Sequence, residues 1–287
     1  MTKKVFAVIR RKKPADWIRC LLMWGYSLAT MAILLYLVGF IVVKGIPHLK
    51  PSLFAVNYSI ENQSLFPALV TTLIMVLLTL LIAVPFGVFT AIYLVEYAPR
   101  GSRLVRIIRM TTETLAGIPS IVFGLFGYIF FAAWLGWGKS ILAGCFTLAI
   151  MILPLIMRTT EESLKAIPDT YREGAFGLGA GRLRTVWCVI LPSAMPGIFA
   201  GIILAVGRIV GETAALIFTI GSVIKIPENL FSQGRTLALH VFQLSSQGYN
   251  RNEAYATAVV LLVVVLGINT LSALIERRFV QKLKGAS

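Results

Sequence analysis

Residues 68–95 read ALVTTLIMVLLTLLIAVPFGVFTAIYLV, an apolar run marked by Pro85 and Gly87. A helix needs about 20 predominantly apolar residues to cross the hydrocarbon core of a bilayer. This run is long enough, and it is apolar all round rather than along one stripe. Five other stretches have the same character: residues 20–43, 118–137, 141–157, 194–220 and 254–275. The fourth of the six segments, 141–157, is short and carries Pro154. Barrel strands would alternate apolar and polar residues, and these segments do not. Composition agrees: 57% of the 287 residues are hydrophobic and 14% are charged. Soluble domains sit near 45–50% and about 25%. The reading is an all-α membrane protein, one domain over residues 1–287 with six transmembrane helices.

The net charge of +15 follows from topology. Of the 27 Lys and Arg, 20 fall before the first segment, between the second and third, between the fourth and fifth, and after the sixth. Six fall in the opposite loops, and Arg208 lies inside the fifth segment. By the positive-inside rule both termini are cytoplasmic and Lys139 is outside. Residues 1–19 form a basic cytoplasmic N-terminus. The first apolar run exceeds the 7–15 residues of a signal-peptide core and lacks a small-residue cleavage site, so it reads as a retained helix. Charges dispersed over four loops on one face of a membrane exclude a nucleic-acid surface. Cys20, Cys145 and Cys188 fall on the inner side or within the bilayer, so no disulfide is expected.

Catalytic machinery is not visible. Gly138-Lys139-Ser140 imitates the end of a phosphate-binding P-loop, but the Gly required five residues before Gly138 is Ala133. His48 and His240 stand apart, without metal-ligand spacing. No metal, cofactor or Ser/His/Asp arrangement is expected. Transport driven by ATP would need a partner.

The longest cytoplasmic connection, residues 158–192, carries the most information. Ile167-Pro168-Asp169 supplies a helix start, with Asp169 as cap. Tyr171, Ala175 and Leu178 then share one apolar face, and Gly179 ends the helix. A second short helix is expected over 183–190, running into Pro192. The first helix is too short to persist alone in water, and Gly174 and Gly177 weaken it further, so it needs a partner groove.

Here the chain resembles the permease subunits of bacterial ABC importers. Their signature is a Glu-Ala-Ala stretch, Gly six residues after the Glu, and Ile-x-Leu-Pro after nine more. Glu173, Gly179, Val189, Leu191 and Pro192 fall on that spacing, with Gly174 and Val189 as departures. The resemblance implies an ABC importer permease fold whose cytoplasmic coupling helix docks on an ATP-binding subunit. Tyr171, Glu173, Gly174, Ala175, Leu178 and Gly179 would make that contact. Leu65-Phe66-Pro67-Ala68, the stretch Leu115-Ala116-Gly117-Ile118-Pro119-Ser120, and Gly211-Glu212-Thr213-Ala214-Ala215-Leu216-Ile217-Phe218-Thr219 are similar to the phosphate-importer permeases. The last is more like the A-type than the C-type subunit. The likeness spans residues 65–275. It implies a related C-type permease, two ATP-binding subunits and an extracytoplasmic phosphate-binding protein as partners, in a bacterial cytoplasmic membrane.

Arg208 and Glu212, four residues apart, are expected to share a helix face inside the fifth segment. Intramembrane charges cost about 2.5–3.5 kcal/mol on insertion scales, so they face a cavity or a partner. Two readings stand: a self-neutralising pair, or an oxyanion path in which the Arg208 fork meets phosphate and Glu212 weakens its grip. Gly197, Gly201, Gly207 and Gly211 recur at small-residue spacing for close helix approach. The rival functions are a C-type subunit, a permease for another oxyanion, a secondary transporter with inverted repeats, and a membrane-embedded enzyme.

Overall fold

The computed structural model describes residues 14–59, 61–99, 101–247 and 251–285. The basic residues before position 14, Arg100 and the last two residues lie outside the described residues. The described chain is helical, and no strand occurs in it. In chain order the helices are α1 (Pro14–Gly45), α2 (Phe66–Ile92), α3 (Arg103–Ala116), α4 (Ser120–Gly127), α5 (Ile141–Lys165), α6 (Asp169–Gly177), α7 (Arg182–Thr185), α8 (Leu191–Gly211), α9 (Ala214–Thr219), α10 (Leu237–Gln247) and α11 (Arg251–Gly285). π turns extend α2 through Tyr93–Tyr97 and α4 through Tyr128–Trp134.

Five continuous helical stretches are long and apolar enough to cross a membrane. A sixth crossing exists only if α3 and α4 with its π turn count as one broken span, bent by 104°. The third segment therefore differs from the expectation. The helix breaks at Ile118-Pro119, where Pro119 disfavours the α conformation at the residue before it. Pro119 then sits extended at the N-cap of α4. The four-arginine connection is not a plain loop either. It contains α3, whose Leu104, Ile107 and Met110 are exposed beside Arg103 and Arg106. A basic amphipathic helix of this kind suits a membrane surface.

The fourth segment also differs. Sequence ends it at Met157, whereas α5 runs on to Lys165. Ser140 caps it, its hydroxyl accepting from Ala143 N at 3.2 Å. Ion pairs Arg158–Glu162 (3.0 Å) and Lys165–Glu161 (2.6 Å) span one turn each and carry it past the apolar part. Pro154 is buried inside the helix, and packed neighbours hold the helix through it.

α5 is the central post. Leu148, Ile152 and Ile156 pack with Met75 and Val76 of α2, Ala205 and Ile209 of α8, and Leu216 of α9. Small residues set the separations. A Cβ at Gly87 would strike Ile156, and Cβ atoms at Gly197 and Gly201 would strike Ser163 and Thr159. The first pair of glycines on α8 thus seats it on α5. The second pair, Gly207 and Gly211, meets nothing within 4 Å. α1 is exposed along most of its length and touches α11, where Phe40 meets Tyr255 at 5.9 Å.

Candidate functional site: the 158–192 loop and the charged end of α8

α6 begins at Pro168, which holds the N-cap position itself. Asp169 is the first helical residue, not the cap. Its carboxylate accepts from Arg172 Nη1 at 3.1 Å. The helix ends at Gly177. Gly179 N–H bonds to Phe176 O at 2.9 Å and Ala180 N–H to Ala175 O at 3.0 Å. That paired closure requires a left-handed residue, and Gly179 has φ +82°. The sequence therefore located the stop correctly.

The exposed apolar side of this loop differs in one member from the expected face. Tyr171 and Leu178 are exposed, Leu178 at 92%, but Ala175 is half-buried and Phe176 takes the outward place. Glu173 and Gly174 are also exposed, and a Cβ at Gly174 would meet nothing. The second short helix is not separate. α7 passes through a π turn, Val186–Ile190, straight into α8, forming one 30-residue stretch, Arg182–Gly211. Pro192 falls inside this continuous stretch, directly after the π turn.

Two residues that the sequence reading passed over hold α6 in place. Arg172 Nη2 pairs with Glu96 Oε1 at 2.6 Å. Its Nη2 and Nη1 also donate to the carbonyls of Leu164 and Ile167, at 3.1 and 3.0 Å. One guanidinium thus ties the end of α2 to the C-terminal carbonyls of α5 and to α6. The hydrogen bond that Arg172 donates to Glu96 is the main cause that raises the Arg172 pKa above its ordinary value, so the group stays charged. The side chains are 17% and 8% exposed. The available sequence signal was Glu96, an acidic residue directly after a long apolar run.

Arg208 and Glu212 do not form the expected arrangement. α8 stops at Gly211, and Glu212 is extended (φ −72°, ψ 128°), which takes it off the helix face. Its carboxylate accepts from Ala215 N at 3.1 Å, holding the start of α9. No ion pair joins it to Arg208 among the described residues. Arg208 is exposed, as are Leu204 and Ala200 one and two turns before it on α8. The self-neutralising pair is therefore absent from this structure.

Residues 83–285 match the family model described as "Binding-protein-dependent transport system inner membrane component". The chain is 34% identical to the probable ABC transporter permease protein YqgI of Bacillus subtilis, over 86% of this chain and 90% of that one. It is 35% identical to the phosphate transport system permease protein PstA 1 of Mycobacterium tuberculosis, over 74% and 70%. It is 32% identical to PstA of Haemophilus influenzae, over 88% and 92%. Among solved structures, a chain of a bacterial alginate ABC transporter superposes with TM-score 0.70 at 14% identity, over 93% of this chain and 96% of that one. The MetNI methionine transporter in an inward-facing form gives 0.61 at 22%, over 75% and 94%. These likenesses establish the fold.

Proposed function

The chain belongs to the binding-protein-dependent transport inner-membrane family, and we propose that it is the A-type permease subunit of an ATP-driven importer of inorganic phosphate. The observation that carries the substrate is the 32–35% identity to PstA proteins over most of the chain. The chain is a multi-pass membrane subunit and contributes no catalytic group; ATP hydrolysis belongs to partner subunits. Its partners are a related C-type permease, two ATP-binding subunits and an extracytoplasmic phosphate-binding protein. Both termini are cytoplasmic.

The loop of residues 158–192 docks on an ATP-binding subunit through Tyr171, Phe176 and Leu178, with Glu173, Gly174, Ala175 and Gly179 shaping the contact. Exposed apolar side chains on a short helix fastened from behind by Arg172 support this reading, since the fastening lets a push on α6 reach α2 and α5. Arg208 is the oxyanion contact of the path. Its fork has no hydrogen-bond or ion-pair partner among the described residues, it emerges from an apolar helix, and the open Gly207 and Gly211 beside it leave room for a companion subunit to complete the passage. Glu212 acts beside it by fixing the turn from α8 to α9 rather than by neutralising it.

The test is uptake of labelled phosphate into vesicles holding the co-expressed importer. ATP-dependent phosphate uptake that excess sulfate does not suppress is expected. Uptake without the ATP-binding subunits, or suppression by sulfate, would replace this reading with a secondary transporter or a permease for another oxyanion.

A further inference from the structure

At the end of the molecule opposite the coupling loop, two connections close over a cavity of about 750 Å³. Asn57 and Tyr58 line it from the connection before α2, Ser222 and Lys225 from the one after α9, and Arg235 from the approach to α10. Its charged lining is cationic, with no Asp or Glu among the described residues that line it.

Arg235 is half-buried. Its Nη2 donates to Ser222 O at 2.6 Å, and its Nη1 lies 3.4 Å from Nδ1 of His240. Its Nε is buried without a hydrogen-bond partner. It has no carboxylate partner among the described residues. His240 behind it is fully buried, and burial followed by the Arg235 charge pushes its pKa down to about 4. The imidazole is therefore neutral at pH 7 and accepts from Arg235 without adding a charge. Tyr58 hydroxyl donates to Gln63 Oε1 at 2.9 Å, and its ring edge faces His240 at 6.3 Å. The guanidinium is thus aimed by neutral groups and neutralised by none. A guanidinium cannot shed its proton, and withdrawing it from water without a counter-charge is unfavourable. Arg235 retains free N–H donors, and Lys225 offers three more at the exposed rim.

We infer that this cavity is a second anion site, one that takes a small tetrahedral oxyanion of the phosphate class between Arg235 and Lys225 before the anion reaches Arg208. The inference rests on the importer reading for the direction of traffic and the identity of the anion. The cavity is much larger than one phosphate, so the anion enters with part of its water and is held weakly, as suits a relay site.

The experiment uses the intact importer in nanodiscs with Val223→Cys, a residue that lines the cavity. A membrane-impermeant maleimide reads its labelling rate. Phosphate should slow labelling saturably against chloride at matched ionic strength. Lys225→Gln, at an exposed position that the fold does not need, should raise the half-protecting phosphate concentration about tenfold, the loss of one charge-assisted contact. Arg235→Gln should abolish protection. Three results overturn the site: no protection, protection unchanged in both variants, or protection that requires the binding protein and not phosphate. The last would make the cavity a seat for that protein's carboxylates. ATP-driven uptake in the same preparation separates the two readings. Uptake without protection sinks this site alone, and protection without uptake sinks the importer reading and leaves an anion site.

Discussion

Arg172 and Arg208 carry the same charge into opposite circumstances, and their substitutions should behave accordingly. Arg172 is enclosed by Glu96 and by the carbonyls of Leu164 and Ile167. Removing it leaves Glu96 buried and uncompensated, which costs about 3–5 kcal/mol. Arg172→Ala should therefore expose residues 158–192 to protease and lower recovery of the ATP-binding subunits. Adding Glu96→Leu should restore protease resistance. Arg208 has no such enclosure. Arg208→Leu should insert and assemble at normal levels yet fail to move phosphate, and Arg208→Lys should retain only part of the uptake, because the fork is lost while the charge stays. Glu212→Gln should fold, since an amide oxygen can still accept from Ala215 N. Full uptake by Arg208→Leu at matched expression would end its role in the path. His240 supplies a pH dependence. Its pKa is about 6.5 when unfolded and about 4 when buried. Between those values the unfolded chain holds the extra proton, so stability is complete above about 6.5 and falls by about 1.4 kcal/mol per unit as pH drops toward 4. Denaturation of the purified complex between pH 7 and 4.5 should show a shallower pH slope for His240→Gln than for the parent. Equal slopes would mean that the ring is not buried as a neutral group.

Helix α6 shows how far local rules reach. Its start near Pro168 and its stop at Gly179 are both legible, because proline and a left-handed glycine act on their own backbone. Gly179→Leu places a side chain at φ +82°, a strain of about 1–2 kcal/mol, and removes the stop. The chain should still insert, because nothing in the membrane part touches this position, but phosphate-stimulated ATPase activity of the complex should fall. Normal ATPase coupling in Gly179→Leu would remove α6 from the docking surface. The outward face was misread by one residue. Helical spacing selects Ala175, whereas Arg172 fixes the helix so that Ala175 turns inward and Phe176 outward. That rotation depends on Glu96, which is 76 residues away in sequence. The length of α5 exceeds the apolar run for a related reason. Its last two turns are largely polar, yet Leu164 is buried in an apolar cluster and Glu161 pairs with Arg109 of α3 at 2.6 Å, contacts made only in the folded chain.

For the whole molecule, orientation is the testable quantity. Lys139→Cys should react with an impermeant thiol reagent added outside and Lys165→Cys should not, since α5 carries the chain from one end to the other. The reverse pattern would invert the topology and place the Arg235 cavity on the cytoplasmic side. The sequence by itself determined the membrane class, most of the apolar runs, the one-sided distribution of Lys and Arg among the connections and the stop of α6. Each of these is a property of composition or of a few adjacent residues, and the bilayer or the local backbone reads it directly. Only the tertiary structure decided the broken third span, the Arg172–Glu96 fastening, the separation of Arg208 from Glu212, and the closing of two distant connections around Arg235. The fastening and the cavity depend on which residues meet after the chain has turned back on itself, the other two on where a helix stops. A four-residue spacing shares a face only while the helix continues, and at Gly211 it does not.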